Sequence, residues 1–374
     1  MKKILNLGAA ALTVALAMTP VMAEGSTYAA INGTSTTFKS TLNMKSTDNV
    51  PNLSMSYSIA FNSDKSTATA VTGTPTIAAV DFSADDALKD ASITKNATVD
   101  FSSVTFAEPG VYRFNVTQDA ADLTNQGISQ TDEDTTKALD VYVIDDNGTL
   151  KIGGYVMHND ETADVETYTE ETTLADKDEE FSYAYNTSDL TITKTVAGNQ
   201  ASRDEYFPFE VKISNAVKGT KYSVDLSNCD ATTKTTGNNA ESHTNASGLT
   251  VGNDGTVTAT FWLQHGQSVK INGLAGTEAT KTNGLTAYSI SETTGAYTAS
   301  ITATGDTDGK ITDAKIEDAG LSADTTVAYT NTKSGVIPTG VFMTVGGSAA
   351  ATLLAGAGVV LYMNRKKKDD EDAE

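Results

Sequence analysis

The most distinctive chemistry-bearing segment of this chain is Gly335-Val336-Ile337-Pro338-Thr339-Gly340, set directly before the uncharged stretch 341–363 and the basic cluster Arg365, Lys366, Lys367 and Lys368. Pro338 pre-sets an extended backbone, Gly340 admits close approach, and an apolar span would hold the segment beside a membrane. These are properties of an accessible peptide substrate. Catalytic patterns are wanting elsewhere. His158, His243 and His265 are scattered, with no paired metal-ligand spacing, no phosphate loop and no triad order, and each reads as a surface or loop residue. The acidic stretch from Asp160 to Glu180 lacks the alternating oxygen-ligand loop with a central glycine that calcium needs, so a solvated acidic hairpin is expected. Neither a metal nor a cofactor is expected. Cys229 is the single cysteine, which excludes an internal disulfide, and Trp262 alternates as a packing residue of a strand.

The elements that must position any chemistry are strands. Alternation recurs in Met55 to Phe61, Val111 to Thr117, Leu139 to Ile144, Phe181 to Tyr185, Leu190 to Val196, Thr256 to Leu263 and Ala287 to Ser291, while helical periodicity is almost absent. Asp146-Asn147-Gly148 and Asn253-Asp254-Gly255 mark tight hairpins. Gly110 to Gln118 is similar in pattern to Thr286 to Glu292, a weak internal repeat that predicts two sandwiches meeting near Thr187-Ser188-Asp189 through a short linker. The fold class is therefore all-β, with two tandem Ig-like β-sandwich domains. Lys2 and Lys3 before an apolar run, with small residues ending at Ala23, mark a signal peptide over 1–23. The divisions expected are 1–23 signal, 24–188 first sandwich, 189–334 second sandwich and 335–374 tail. A net charge of −22 makes nucleic acid an improbable partner, and the membrane is met only before the tail is removed.

Ile337-Pro338-Thr339-Gly340, followed by an apolar span and a basic end, resembles a sortase sorting signal, although it departs from the commoner Leu-Pro-x-Thr-Gly form. That resemblance implies cleavage between Thr339 and Gly340 and capture of the Thr339 carbonyl as a thioester by a pilus-type sortase. Leu190 to Asn199, Tyr288 to Glu292, Val327 to Asn331, Asn49-Val50-Pro51-Asn52 and Gly110 to Phe114 resemble the streptococcal-type major pilins, whose domains carry Lys–Asn isopeptide bonds. The resemblance implies a bond between Lys194 and Asn331, with Glu292 as the acid that relays protons. Burial would make the lysine neutral and the glutamate protonated, as the reaction requires. Closing a loop of roughly 137 residues removes about 5 kcal/mol of unfolded-state freedom by the disulfide entropy model.

The first domain departs from the family at the positions aligned to lysine, acid and asparagine, which are Ser40, Gln118 and Tyr183. No bond is expected there; a shift of one residue would offer Lys39, but on the opposite face of the strand. In the family the acceptor amine lies near the end of the first domain, where this chain has Lys177, with Lys137 and Lys151 as rivals. The implied function is a structural shaft subunit of a covalent surface pilus, with no enzymatic activity beyond autocatalytic bond formation. The implied partners are a sortase, other copies of the chain, peptidoglycan and accessory or tip pilins. The alternative is a monomeric wall-anchored adhesin.

Overall fold

The computed structural model describes residues 28–335 except 69, 120–122, 124–126, 133, 160, 163–164, 166–176, 235–240, 276–285, 306–309 and 313. The expected signal peptide and the segment Ile337-Pro338-Thr339-Gly340 with its apolar tail lie outside the described residues. Among those described, no helix is long and apolar enough to cross a membrane. The described chain is all-β, and its only helical turn is the short 3-10 segment Ser63–Lys65.

The principal strands of the first sandwich are β1 (Ser35–Asn43), β2 (Tyr57–Phe61), β3 (Ser92–Asp100), β4 (Gly110–Gln118), β5 (Thr136–Asp146), β6 (Thr149–His158) and β7 (Glu180–Tyr185). One sheet runs Ile128–Gln130, β7, β1, β3, Thr76–Ile77; the facing sheet runs β6, β5, β4, β2. The second sandwich contains β8 (Thr187–Ala197), β9 (Phe207–Ser214), β10 (Val257–Leu263), β11 (Ser268–Ala275), β12 (Ala287–Glu292), β13 (Thr298–Thr304), β14 (Lys315–Gly320) and β15 (Thr325–Thr332). Here one sheet runs Gly248–Thr250, Lys221–Asp225, β11, β8, β15, β13, and the other runs β10, β9, β12, β14, Ile311–Thr312. Each sandwich encloses its own apolar core.

Two registers position the site. In the first sandwich β7 lies parallel to β1 with Phe181 opposite Ser40, and in the second β15 lies parallel to β8 with Tyr329 opposite Lys194. Across each sandwich Tyr57 pairs with Gln118 as Phe209 pairs with Glu292. The last strand of each unit is thus seated against the first, so both chain ends of a unit meet in one sheet.

Two boundaries differ from the sequence reading. The expected strand Met55 to Phe61 is broken at Ser56, because Leu53–Met55 pairs with Val80–Phe82 whereas β2 pairs with β4. The residues read as a linker, Thr187-Ser188-Asp189, open β8, and only Asn186 separates β7 from β8. The junction is closed by side chains. Thr187 donates to Asp48 at 2.6 Å, Ser223 to the Thr47 carbonyl at 2.8 Å and Asn52 to the Lys218 carbonyl at 3.1 Å. Gly273 at this junction has φ +79°, and a Cβ there would lie 3.0 Å from Asp48 Cγ. Both its backbone angle and its close approach therefore require glycine.

Candidate functional site

On β8 the period of two sends Leu190, Ile192, Lys194 and Val196 to the inner face, and on β15 it sends Val327, Tyr329 and Asn331 there. Lys194 therefore enters an apolar core on account of its strand position alone. Glu292 closes β12 on the facing sheet, and the three side chains meet. The Lys194 ammonium and the Asn331 amide, at 2.7 Å, both donate to Glu292 Oε1, and the side chains of Lys194 and Glu292 are fully enclosed. The ring centres of Phe207 and Phe209 lie 4.2 and 5.5 Å from Lys194 Nζ. Tyr329 meets Phe209 edge-on and closes the pocket.

The electrostatics follow from this enclosure. Burial disfavours the ammonium and brings the Lys194 pKa down to about 8, against the opposing pull of Glu292. Burial also raises the Glu292 carboxyl, outweighing the hydrogen bonds from Lys194 and Asn331. Two buried oxygens here, Glu292 Oε2 and Asn331 Oδ1, lack a partner among the described residues. Both are acceptors, so no donor stands between them. A proton moved from Lys194 to Glu292 would supply the missing donor and leave a neutral amine beside an amide carbon.

The first sandwich has the same register with different chemistry. Ser40, Gln118 and Tyr183 are all buried. Tyr57 donates to Ser40 Oγ at 2.8 Å and its hydroxyl meets that of Tyr183 at 3.2 Å. Gln118 donates to the Asp119 carbonyl at 2.7 Å. The three hydroxyls form a neutral network, and Gln118, also neutral, stands apart from it with Oε1 lacking a partner among the described residues. Lys39 points outward and is exposed.

Of the three candidate acceptors, Lys177 is exposed and forms an isolated β-bridge with His158 at the end of β6, and Lys151 is also exposed. Lys137 is fully enclosed, which removes it as an acceptor on the folded chain. Its spacing from Leu139, Val141 and Val143 was the available signal, since the period places all four on the core face of β5. His158 is not a loop residue either. It ends β6 and joins a buried network in which Arg113 Nε and Nη2 grip Asp140 at 2.8 and 2.9 Å and His158 Nε2 lies 3.0 Å from Asp140. His265 accepts from the Val196 amide at 3.0 Å, and His243 stacks on Trp262 at 3.6 Å.

This arrangement has relatives. Over 280 residues, 74% of each chain, the sequence is 26% identical to a pilin of Streptococcus pyogenes serotype M1. It is to a pilin, then, that most of the chain is similar. Residues 188–333 match a family model described as a domain of unknown function, DUF7601, which spans β8 to β15. The crystal structure of the major pilin from Streptococcus pyogenes superposes with TM-score 0.56 at 22% identity, covering 82% of this chain and 100% of that chain. The major pilin T3.2 of the same species gives TM-score 0.51 at 19% identity over 81% of this chain and 99% of that chain. At such identities these two likenesses speak to fold.

Proposed function

We propose that this chain is a pilin and the repeating shaft subunit of a covalent surface fibre. A sortase cuts between Thr339 and Gly340, holds the Thr339 carbonyl as a thioester, and transfers it to the Lys177 amine of the next copy. The thiol is released and an amide forms. The last subunit is passed to peptidoglycan, and accessory or tip pilins complete the fibre. The observation that supports this reading is the line of the chain between donor and acceptor. Lys177 stands just before β7, β7 continues into β8 through one residue, and β8 runs beside β15 to Thr332, where the chain leaves toward Thr339. At a strand rise of roughly 3.3 Å, Lys177 and the point where the chain leaves beside Ala197 are up to about 65 Å apart along this line, as head-to-tail linkage requires.

Within each subunit we assign Lys194, Glu292 and Asn331 to an internal amide. The neutral Lys194 amine attacks Asn331 Cγ while Glu292 donates a hydrogen bond to the amide oxygen. Glu292 then gives a proton to the departing nitrogen and takes one from the attacking Lys194 nitrogen, the bond from Asn331 Cγ to its amide nitrogen breaks, ammonia leaves, and the Lys194–Asn331 amide remains. Water is excluded by Phe207, Phe209 and Tyr329. Co-expression with a pilus-type sortase tests the polymer: detergent-resistant ladders are expected from the unaltered chain and none from Lys177→Arg. A persisting ladder rejects Lys177 as the acceptor.

A further inference from the structure

Lys137 is buried where the second sandwich is apolar. Val116 pairs with Lys137 as Ile290 pairs with Ile316, and these positions correspond because Gln118 and Glu292 each stand two residues further along β4 and β12. A buried ion pair seldom stabilises a core more than well-packed apolar residues do. The lysine therefore calls for another account, and its contacts give one. Lys137 Nζ donates to the Asp178 carboxylate and to the Glu180 carbonyl at 2.6 Å, lies 3.6 Å from Asp132, and sits 5.1 Å from the Phe181 ring centre. Asp178 is itself held at three further points. Its Oδ1 accepts from the Glu180 amide at 2.9 Å, its amide donates to the Met157 carbonyl at 3.1 Å, and its neighbour Lys177 bridges to His158.

We infer that the pairing of buried Lys137 with part-exposed Asp178 is a positioning element for the acceptor amine, fixing the direction in which Lys177 leaves the first sandwich. The inference rests on Lys177 being the acceptor. Along an extended backbone a side chain turned inward forces its neighbour outward, so anchoring Asp178 under β5 presents Lys177 to solvent. The pair also occupies the carboxylate of Asp178, directly next to Lys177 in sequence, which keeps it from folding back onto the acceptor ammonium. Holding a nucleophile in one direction lowers the entropic cost of transfer.

The test uses the intact chain as acceptor, a synthetic peptide spanning residues 334–348 as donor, and a pilus-type sortase that polymerises the unaltered chain. The variants are Lys137→Met, Asp178→Asn and the two combined. Transfer to Lys177 should fall about tenfold in either single variant, because small misplacements of reacting groups carry penalties of this size. The double variant should be no worse than the singles, since both remove one interaction. Tandem mass spectrometry should show a larger share of product at other exposed lysines such as Lys151, a change that general loss of stability would not produce. Transfer within twofold of the unaltered chain in Asp178→Asn, or effects that multiply in the double variant, would overturn the inference. Asp178 is partly exposed, so this variant keeps the test open if Lys137→Met does not fold. Failure of the acceptor reading is separate: it appears as continued transfer in Lys177→Arg.

Discussion

Where the last strand of each sandwich lies parallel to the first, the second unit encloses Lys194, Glu292 and Asn331, and the first encloses Ser40, Gln118 and Tyr183 at matching register. The exchange is concerted. A lysine without its acid, or an acid without its amide, would leave a buried charge or orphaned polar group, each costly, whereas a hydroxyl, an amide and a phenol form a neutral set. The difference also follows the proposed line of load. Tension entering at Lys177 would pass along β7, already extended, into β8, cross from Lys194 to Asn331 and leave through Thr332. The other described strands of the first unit stand beside that line, so on this reading the first unit needs no covalent clamp and the second does.

The largest expected effect is mechanical. Pulled between residues 177 and 335, the unaltered protein should show no unfolding step, whereas Glu292→Gln should release on the order of 450 Å as the loop between Lys194 and Asn331 extends. Pulling from residue 28 instead should unfold the first sandwich in both proteins; single-molecule extension traces decide the matter. Next comes thermal stability. Without the bond, Glu292→Gln should lose about 5 kcal/mol in the second sandwich, seen by calorimetry as a melting drop on the order of 10–20 °C.

The comparison is sharpened by transplanting the site. Ser40→Lys, Gln118→Glu and Tyr183→Asn together should make the first sandwich lose an ammonia of its own, whereas Ser40→Lys alone should only destabilise it, by about 3 kcal/mol, through an unpaired buried ammonium. Acid should separate the units too. Burial alone would raise the Asp140 carboxyl, but hydrogen bonds from Arg113 and His158 outweigh it and hold the pKa below its ordinary range. A depressed folded-state pKa contributes stability above the unfolded value, near 4, and loses it as pH falls through the folded value. The first sandwich should therefore melt progressively earlier below about pH 4, with the cross-linked one less affected. Lys39→Ala, on the outer face of β1, should change melting by less than about 0.5 kcal/mol and leave the mass loss intact.

Strand alternation made much of this legible. The period of two already set Lys194 with Ile192 and Asn331 with Tyr329, and it put Lys39 on the face opposite Ser40. What it could not give were pairings between distant strands. Arg113, Asp140 and His158 alternate as outward residues of β4, β5 and β6 and so read as solvated; only their adjacency across three strands makes them a buried network. Lys137 was obscured differently, because its core-facing position conflicts with its charge until Asp178, 41 residues away, is brought beneath it. The break at Ser56 was hidden because both halves of that run alternate correctly and differ only in the sheet each joins.

Intact-mass measurement of the folded chain tests the central claim most directly. One ammonia should be missing, and Glu292→Gln should restore it. A mass equal to that of the sequence would remove the Lys194–Asn331 amide, and a loss of two ammonias would contradict the account of the first sandwich.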